Sequence, residues 1–257
     1  MIELKDVTRA YGPKMAVAGL TLTVPRGELF ALLGTNGAGK TTTIKMLVGL
    51  LRPTSGQVRI CGHDMTTDGR AACQVIGYVP DEPYLYEKLS GREFLHFVAG
   101  MYGIPQRERN WRVDRSIDEL DLAAFVDDLC ETYSNGMKQR VVFASALLHE
   151  PAVLVIDEPM VGLDPRSARI VKDLLRAKVR AGASVLMSTH SLAMAEEVAD
   201  RIGIVAHGQL RCIGTLAELK CNTAGEASLE QLFLNITAEN SGKPPQANDV
   251  VSASSAT

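Results

Sequence analysis

Two stretches of the chain carry residues that could do phosphate chemistry together. The first is Gly34-Thr35-Asn36-Gly37-Ala38-Gly39-Lys40-Thr41-Thr42. Its glycines permit backbone angles that a Cβ would forbid, so successive N–H groups can converge on phosphate oxygens. Lys40 offers a point charge to β- and γ-phosphates, and the Thr41 hydroxyl suits Mg2+. The second stretch is Asp157-Glu158, which follows the apolar run Val153 to Ile156. A buried strand ending in two adjacent carboxylates aims both at one place. Asp157 can hold Mg2+ through water, and Glu158 can take a proton from an attacking water. Each stretch has a bland reading, a glycine turn or a solvated acidic strand end. A full G-x-x-x-x-G-K-T between a strand and a helix, paired with those carboxylates, implies a nucleoside-triphosphate site.

Two more places could serve it. Thr132-Tyr133-Ser134-Asn135-Gly136-Met137-Lys138-Gln139-Arg140 sets a small polar turn at a helix N-terminus, where N–H groups and the helix dipole favour an anion. Taken alone it reads as an ordinary cap. Ser188-Thr189-His190-Ser191 places a histidine just after a buried strand. A lone histidine is more often packed or solvated than catalytic, but its place at a strand end favours a functional role.

These residues need strands that end together and helices that begin at the loops. Leu29 to Leu33 is a fully apolar strand running into the glycine loop, and a helix is predicted from Thr42 to Leu50. Residues 2–8, 17–24, 57–61 and 75–79 read as further strands, as do 153–156, 184–188, 202–206 and 209–213. Between them the composition turns helical. Ser90 and Glu93 form a capping box ahead of Phe94, Phe97, Val98 and Met101 at helical spacing. Weaker helices are predicted over 111–121 and 123–130, and stronger ones over 136–149, from Asp164-Pro165 onward, and over 191–199. The predicted fold is α/β: a P-loop NTPase, RecA-like core with a mixed or parallel sheet, an N-terminal antiparallel β layer and an inserted α-helical lobe. The core takes 1–83 and 151–239, the lobe 84–150, and the polar segment 240–257 reads as a disordered tail.

The bulk composition narrows the class. Of 257 residues, 46% are apolar and the net charge is −3, ordinary for one large globular domain and without the basic excess of a nucleic-acid binder. Five cysteines, an odd number without C-x-x-C spacing, imply neither a disulfide framework nor a zinc site, and fit a reducing cytosol. No leader-like or membrane-length apolar run is present, so any membrane role is expected to come through a partner.

The order of these parts resembles the nucleotide-binding domain of ATP-binding cassette (ABC) transporters, over about residues 2–235. Gly34 to Thr41 matches Walker A. Asp157 and Glu158 match the Walker B aspartate and catalytic glutamate. Tyr133-Ser134-Asn135-Gly136-Met137 stands where the family has Leu-Ser-Gly-Gly-Gln, Gly162-Leu163-Asp164 matches the D-loop, and His190 the switch histidine. Tyr11 matches the aromatic that stacks on adenine. The resemblance implies ATP and Mg2+ as cofactors and a head-to-tail pair of cassettes, identical or related. Ser134 and Gly136 of one chain would face the γ-phosphate held by Lys40 of the other. It also implies an integral-membrane permease as partner, no nucleic acid, and a peripheral place on the cytoplasmic face. Two departures stand out. Asp81 occupies the usual glutamine position after Tyr78-Val79-Pro80, where it could ligate Mg2+ or serve only the partner interface, and the signature has Asn135 and Met137. Together they look like the branch that powers exporters with a separate permease. Soluble cassettes acting on ribosomes or DNA usually carry two cassettes or a long coiled-coil insertion, and this chain shows neither. A P-loop kinase would leave 133–137, 162–164 and His190 unexplained.

Overall fold

A computed structural model describes residues 1–160, 162–221 and 229–238. The expected tail over 240–257 lies outside them. The chain opens with an antiparallel pair, β1 (Ile2–Tyr11) and β2 (Lys14–Val24), in register from Ile2↔Val24 to Tyr11↔Lys14. Leu20, Leu22 and Val24 are buried while Thr21 and Thr23 face water, the period-two pattern of a half-buried sheet. Strand β3 (Leu29–Gly34) is buried along its whole length, as a central parallel strand must be. The glycine loop leads straight into α1 (Lys40–Leu47). That helix begins two residues earlier and ends three residues sooner than predicted. Gly39 at φ 107 turns the chain into it, and the left-handed Gly49 (φ 76) stops it beyond Val48.

Strands β4 (Ser55–Ile60) and β5 (His63–Asp64) complete the first sheet in the order β2-β1-β4-β5. A short helix α2 (Gly69–Gln74), not anticipated from sequence, precedes β6 (Ile76–Val79). The helical layer follows with α3 (Gly91–Met101), α4 (Gln106–Glu119) and α5 (Asn135–Leu147). Both arms of the Ser90/Glu93 capping box are made. Helix α4 starts five residues before the predicted 111, because its first turn is polar and charged and so shows no apolar spacing.

The helix predicted over 123–130 does not form. Those residues are turns, with a single 3₁₀ turn at Cys130–Thr132. Leu122, Phe125, Val126 and Cys130 are buried at helix-like spacing, and Val126 N does bond Leu122 O as in a helix, but the Phe125 and Val126 carbonyls are engaged from outside the segment. The buried Tyr133 hydroxyl donates to Phe125 O (2.9 Å) with Asp128 O also in reach (3.0 Å), and Arg92 N takes Val126 O. The same hydroxyl accepts from Gly91 N at 3.0 Å. Helix α5 also differs from its predicted one-sided face: Gln139, Val141, Val142, Phe143 and Ala144 are all buried, because it is wedged among α3, α4 and β6.

Strand β7 (Val153–Asp157), α6 (Pro165–Arg180), β8 (Ser184–Thr189), α7 (Leu192–Val198), β9 (Arg201–Ala206) and β10 (Gln209–Gly214) finish the second sheet. Its order is β10-β9-β3-β8-β7-β6, parallel except for β10. Helices α8 (Leu216–Cys221) and α9 (Leu229–Ala238) follow, and the sequence pattern left them unassigned. The core lies on both sides of this sheet. Leu29, Ala31 and Leu33 face the helical layer, while Phe30 and Leu32 face α1 and the antiparallel sheet. In the register, Leu33 pairs with Thr189 and Asp157 with Ser188. The carboxyl ends of β3, β8 and β7 therefore lie side by side, where ligands of open parallel sheets bind.

Candidate functional site

The glycine loop is clamped from outside. The β9–β10 turn gives Gly208 N to Ala38 O (2.9 Å), and Ala18 N of β2 takes Gly208 O (2.8 Å). Space is short on that side: a Cβ on Gly39 would lie 2.5 Å from Ala16 O, and one on Gly34 would lie 2.6 Å from Val205 O. Thr35, Asn36 and Gly37 remain exposed at the top of the loop, and Ala38 is buried beneath it.

Lys40 is 6% exposed and curls back to its own loop, donating to Gly34 O at 2.8 Å and Thr35 O at 3.3 Å. Its ammonium lies 3.7 Å from Glu158 Oε1, and the same oxygen is 2.9 Å from His190 Nδ1. Thus three strand ends bring Lys40, Glu158 and His190 into one chain of contacts. Glu158 sits just past β7 with a left-handed backbone, φ 50, and its N–H reaches Ser188 O (3.2 Å) and Ser188 Oγ (3.3 Å). Asp157 is fully buried and one of its oxygens accepts from the Ser188 hydroxyl. Burial raises the Asp157 pKa above its ordinary 3.8. The Ser188 and Thr41 hydroxyls pull the other way, and the charges of Asp81 and Glu158 add to the rise. Asp157 Oδ2 is left without a hydrogen-bond partner among the described residues.

That orphaned oxygen and the Thr41 hydroxyl are hard donors of the kind Mg2+ prefers, so the residues present fit the ion. Among the described residues no cluster of three or more His, Cys, Asp or Glu could hold a metal alone. Mg2+ at a nucleotide site needs only one or two protein oxygens beside phosphates and waters. Asp81 enters through its charge: it also helps push the half-buried Tyr78 up to about 12, behind burial and Asp157.

Other candidate residues lie apart. Tyr11, 47% exposed, stands at the tip of the β1–β2 hairpin. Thr42 lies half-buried in the first turn of α1. Ser134 is exposed and caps α5 by accepting from Met137 N at 3.3 Å. Gly136 is buried against the segment before α6, where a Cβ would stand 3.2 Å from Gly162 O. Asp164 caps α6, accepting from Arg166 N, Ser167 N and Ser167 Oγ, and these bonds hold its carboxyl below the ordinary range. Among the described residues no hydrogen bond or ion pair joins Ser134, Gly136 or Asp164 to Lys40, Asp157, Glu158 or His190. Ser188 belongs to this site without belonging to any of the motifs above. Its signal was a hydroxyl at the inner end of an apolar strand, two residues before His190.

Residues 17–161, from β2 to just past Glu158, match a family model described as ABC transporter. The chain belongs to the ABC transporter family. It is an ATP-binding, ATP-hydrolysing cassette of that family, with the P-loop α/β fold. The linearmycin resistance ATP-binding protein LnrL of Bacillus subtilis (strain 168) is 37% identical over 235 residues, 91% of this chain and 75% of LnrL. A solved ATP-binding subunit of an ABC transporter superposes with a TM-score of 0.86 at 34% identity, covering 92% of this chain and 99% of that one. The ABC cassette MJ0796, solved as a dimer in a post-hydrolysis state bound to ADP and Pi, gives a TM-score of 0.76 at 25% identity. That match covers 84% of this chain and 98% of MJ0796. No helix among the described residues is long and apolar enough to cross a membrane.

Proposed function

We propose that this chain supplies the power stroke of an exporter whose permease is a separate membrane chain, and that two cassettes close head to tail on two ATP molecules. The observation that carries this is the split site: Lys40, Glu158 and His190 engage one another, while Ser134 faces outward with its helix N-terminus exposed. A triphosphate on the glycine loop of one chain would be completed by Ser134 and Gly136 of a second. The dimeric state of MJ0796 and the resistance function in the name of LnrL support the reading.

In this mechanism the N–H groups of residues 35–42 and the Lys40 ammonium cradle the β- and γ-phosphates. Tyr11 stacks on the adenine. Thr41 and Asp157 would hold Mg2+, which would supply positive charge against the phosphates, and Asp81 adds its negative charge to the surroundings of Asp157. Water attacks the γ-phosphorus, Glu158 Oε1 takes its proton, and the electrons of the breaking bond leave on the β-phosphate oxygen of ADP. His190, already against Glu158, orients that carboxylate and the γ-phosphate. Asp164, at the segment packed on Gly136, links the two half-sites. Hydrolysis removes the charge that joins the halves, so the pair opens.

The permease contact falls on an exposed aromatic patch. Tyr84 is 75% and Met101 73% exposed, and Tyr86 packs edge-on against Tyr84 (6.0 Å) and Phe97 (5.4 Å). Rigid aromatics of this kind anchor protein interfaces. The chain would thus sit on the cytoplasmic face of the membrane without entering it. The test has two arms. Glu158→Gln should form an ATP-dependent dimer by light scattering, and the wild-type chain should co-purify with an integral membrane protein from solubilised membranes. A chain that stays monomeric with ATP would contradict the shared site, and one recovered with ribosomes would contradict transport.

A further inference from the structure

Strand β1 ends in Arg9-Ala10-Tyr11. The pairing with β2 shifts register on both sides of Arg9, and such irregularities re-aim side chains. The Arg9 guanidinium carbon stands 4.7 Å from the centre of the Tyr11 ring. Its Nη1 donates to Arg52 O at 2.9 Å, in the turn after α1. That turn is stitched to the same strand end: Thr54 N donates to Thr8 O (2.7 Å), and Ala10 N donates to Thr54 Oγ1 (3.1 Å). The ring is therefore covered by a fixed cation on one face, while Tyr11 as a whole remains half exposed.

Its distance from the phosphate loop suits a nucleoside. Ala16 of β2 lies against Gly39, and Lys14, the partner of Tyr11, is two residues further along, about 7 Å at ~3.3 Å per residue. We propose that Arg9 is a positioning residue for the base of ATP: it braces Tyr11 from behind and leaves the opposite face as the stacking platform. The inference rests on the reading of Tyr11 as the base-stacking residue and names what holds that residue in place. The brace also ties the platform to the turn that follows α1, the helix that begins at Lys40.

The test is calorimetric titration of the full chain with MgATP and, separately, with inorganic tripolyphosphate, which has no base. Arg9→Leu is expected to weaken ATP about two- to fivefold, the size of an exposed cation–π contact, and to leave tripolyphosphate unchanged. Arg9→Lys should fall between Arg9→Leu and wild type. In a Tyr11→Ala background, Arg9→Leu should add nothing. Equal weakening of both ligands would overturn the proposal in favour of a merely structural role. A further loss in the Tyr11→Ala background would overturn it too. If Tyr11→Ala weakens ATP and Arg9→Leu does not, the brace alone fails. If Tyr11→Ala leaves ATP binding intact, the stacking reading fails first.

Discussion

The carboxyl edge of the parallel sheet and the turn ahead of α5 are built to opposite plans. At the sheet edge Lys40 and Asp157 are buried, Glu158 is partly buried and His190 is exposed above them, and Lys40, Glu158 and His190 engage one another. Lys40 touches its own loop and Glu158, Glu158 touches His190, and Ser188 fastens Asp157 at the end of β7 and Glu158 just past it. At the turn before α5 the polar group is exposed, and the buried part beneath it serves shape. Tyr133 spends its hydroxyl on Gly91 and Phe125, and Gly136 lets the segment before α6 approach. On the proposed reading the first region would hold and cleave the nucleotide, and the second would present a surface to another chain. Damage to the first should show in a single chain, and damage to the second only when two chains meet.

Substitutions can break or sharpen that contrast. The largest effect is expected at Glu158. Glu158→Gln should lower ATP turnover by about 10²–10⁴-fold, the worth of a positioned base, while ATP still binds. Steady-state phosphate release beside equilibrium binding checks it. Ser134→Ala should cost about 10²-fold in turnover, the effect of losing one preorganised donor to a reacting phosphate. Its nucleotide affinity at dilutions where chains are single should match wild type. A parallel loss of affinity would erase the distinction between the two regions. Tyr133→Phe leaves Gly91 N without its hydroxyl partner inside the lobe and should destabilise it by about 1–3 kcal/mol, read by denaturant melts, with Lys40-dependent binding intact.

The smallest effect concerns the seam between lobe and sheet. Neutral His149 stacks on Tyr102 at 3.7 Å and bonds Ile76 O at 3.0 Å, and burial lowers its pKa from 6.5. The unfolded chain then takes a proton that the folded chain refuses. Stability should fall as pH drops below about 6.5 and go on falling until the lowered value is reached. A flatter melting-temperature slope between pH 7.5 and 5 in His149→Phe would locate the effect there.

The sheet edge was legible because its physics is local. Six buried residues in β3, a glycine turn and Lys40 are contiguous, and Asp157-Glu158 ends an unbroken apolar run. The failures came where long-range partners decide. Residues 123–130 carry helix-like apolar spacing, but Tyr133 and Arg92 claim their carbonyls from outside the segment. The start of α4 is charged and has no apolar stripe to read. Ser188 acquires meaning only when β7 and β8 pair, which a linear pattern does not show.

The backbone of Glu158 has one more implication, for engineering. At φ 50 it occupies a region that suits glycine and costs another residue roughly 1–3 kcal/mol. A selection scheme that rewards heat resistance alone would therefore accept glycine at position 158. It would return a sturdier protein without the proposed base, whose turnover should fall as in Glu158→Gln, so any thermostability screen on this cassette has to score phosphate release as well.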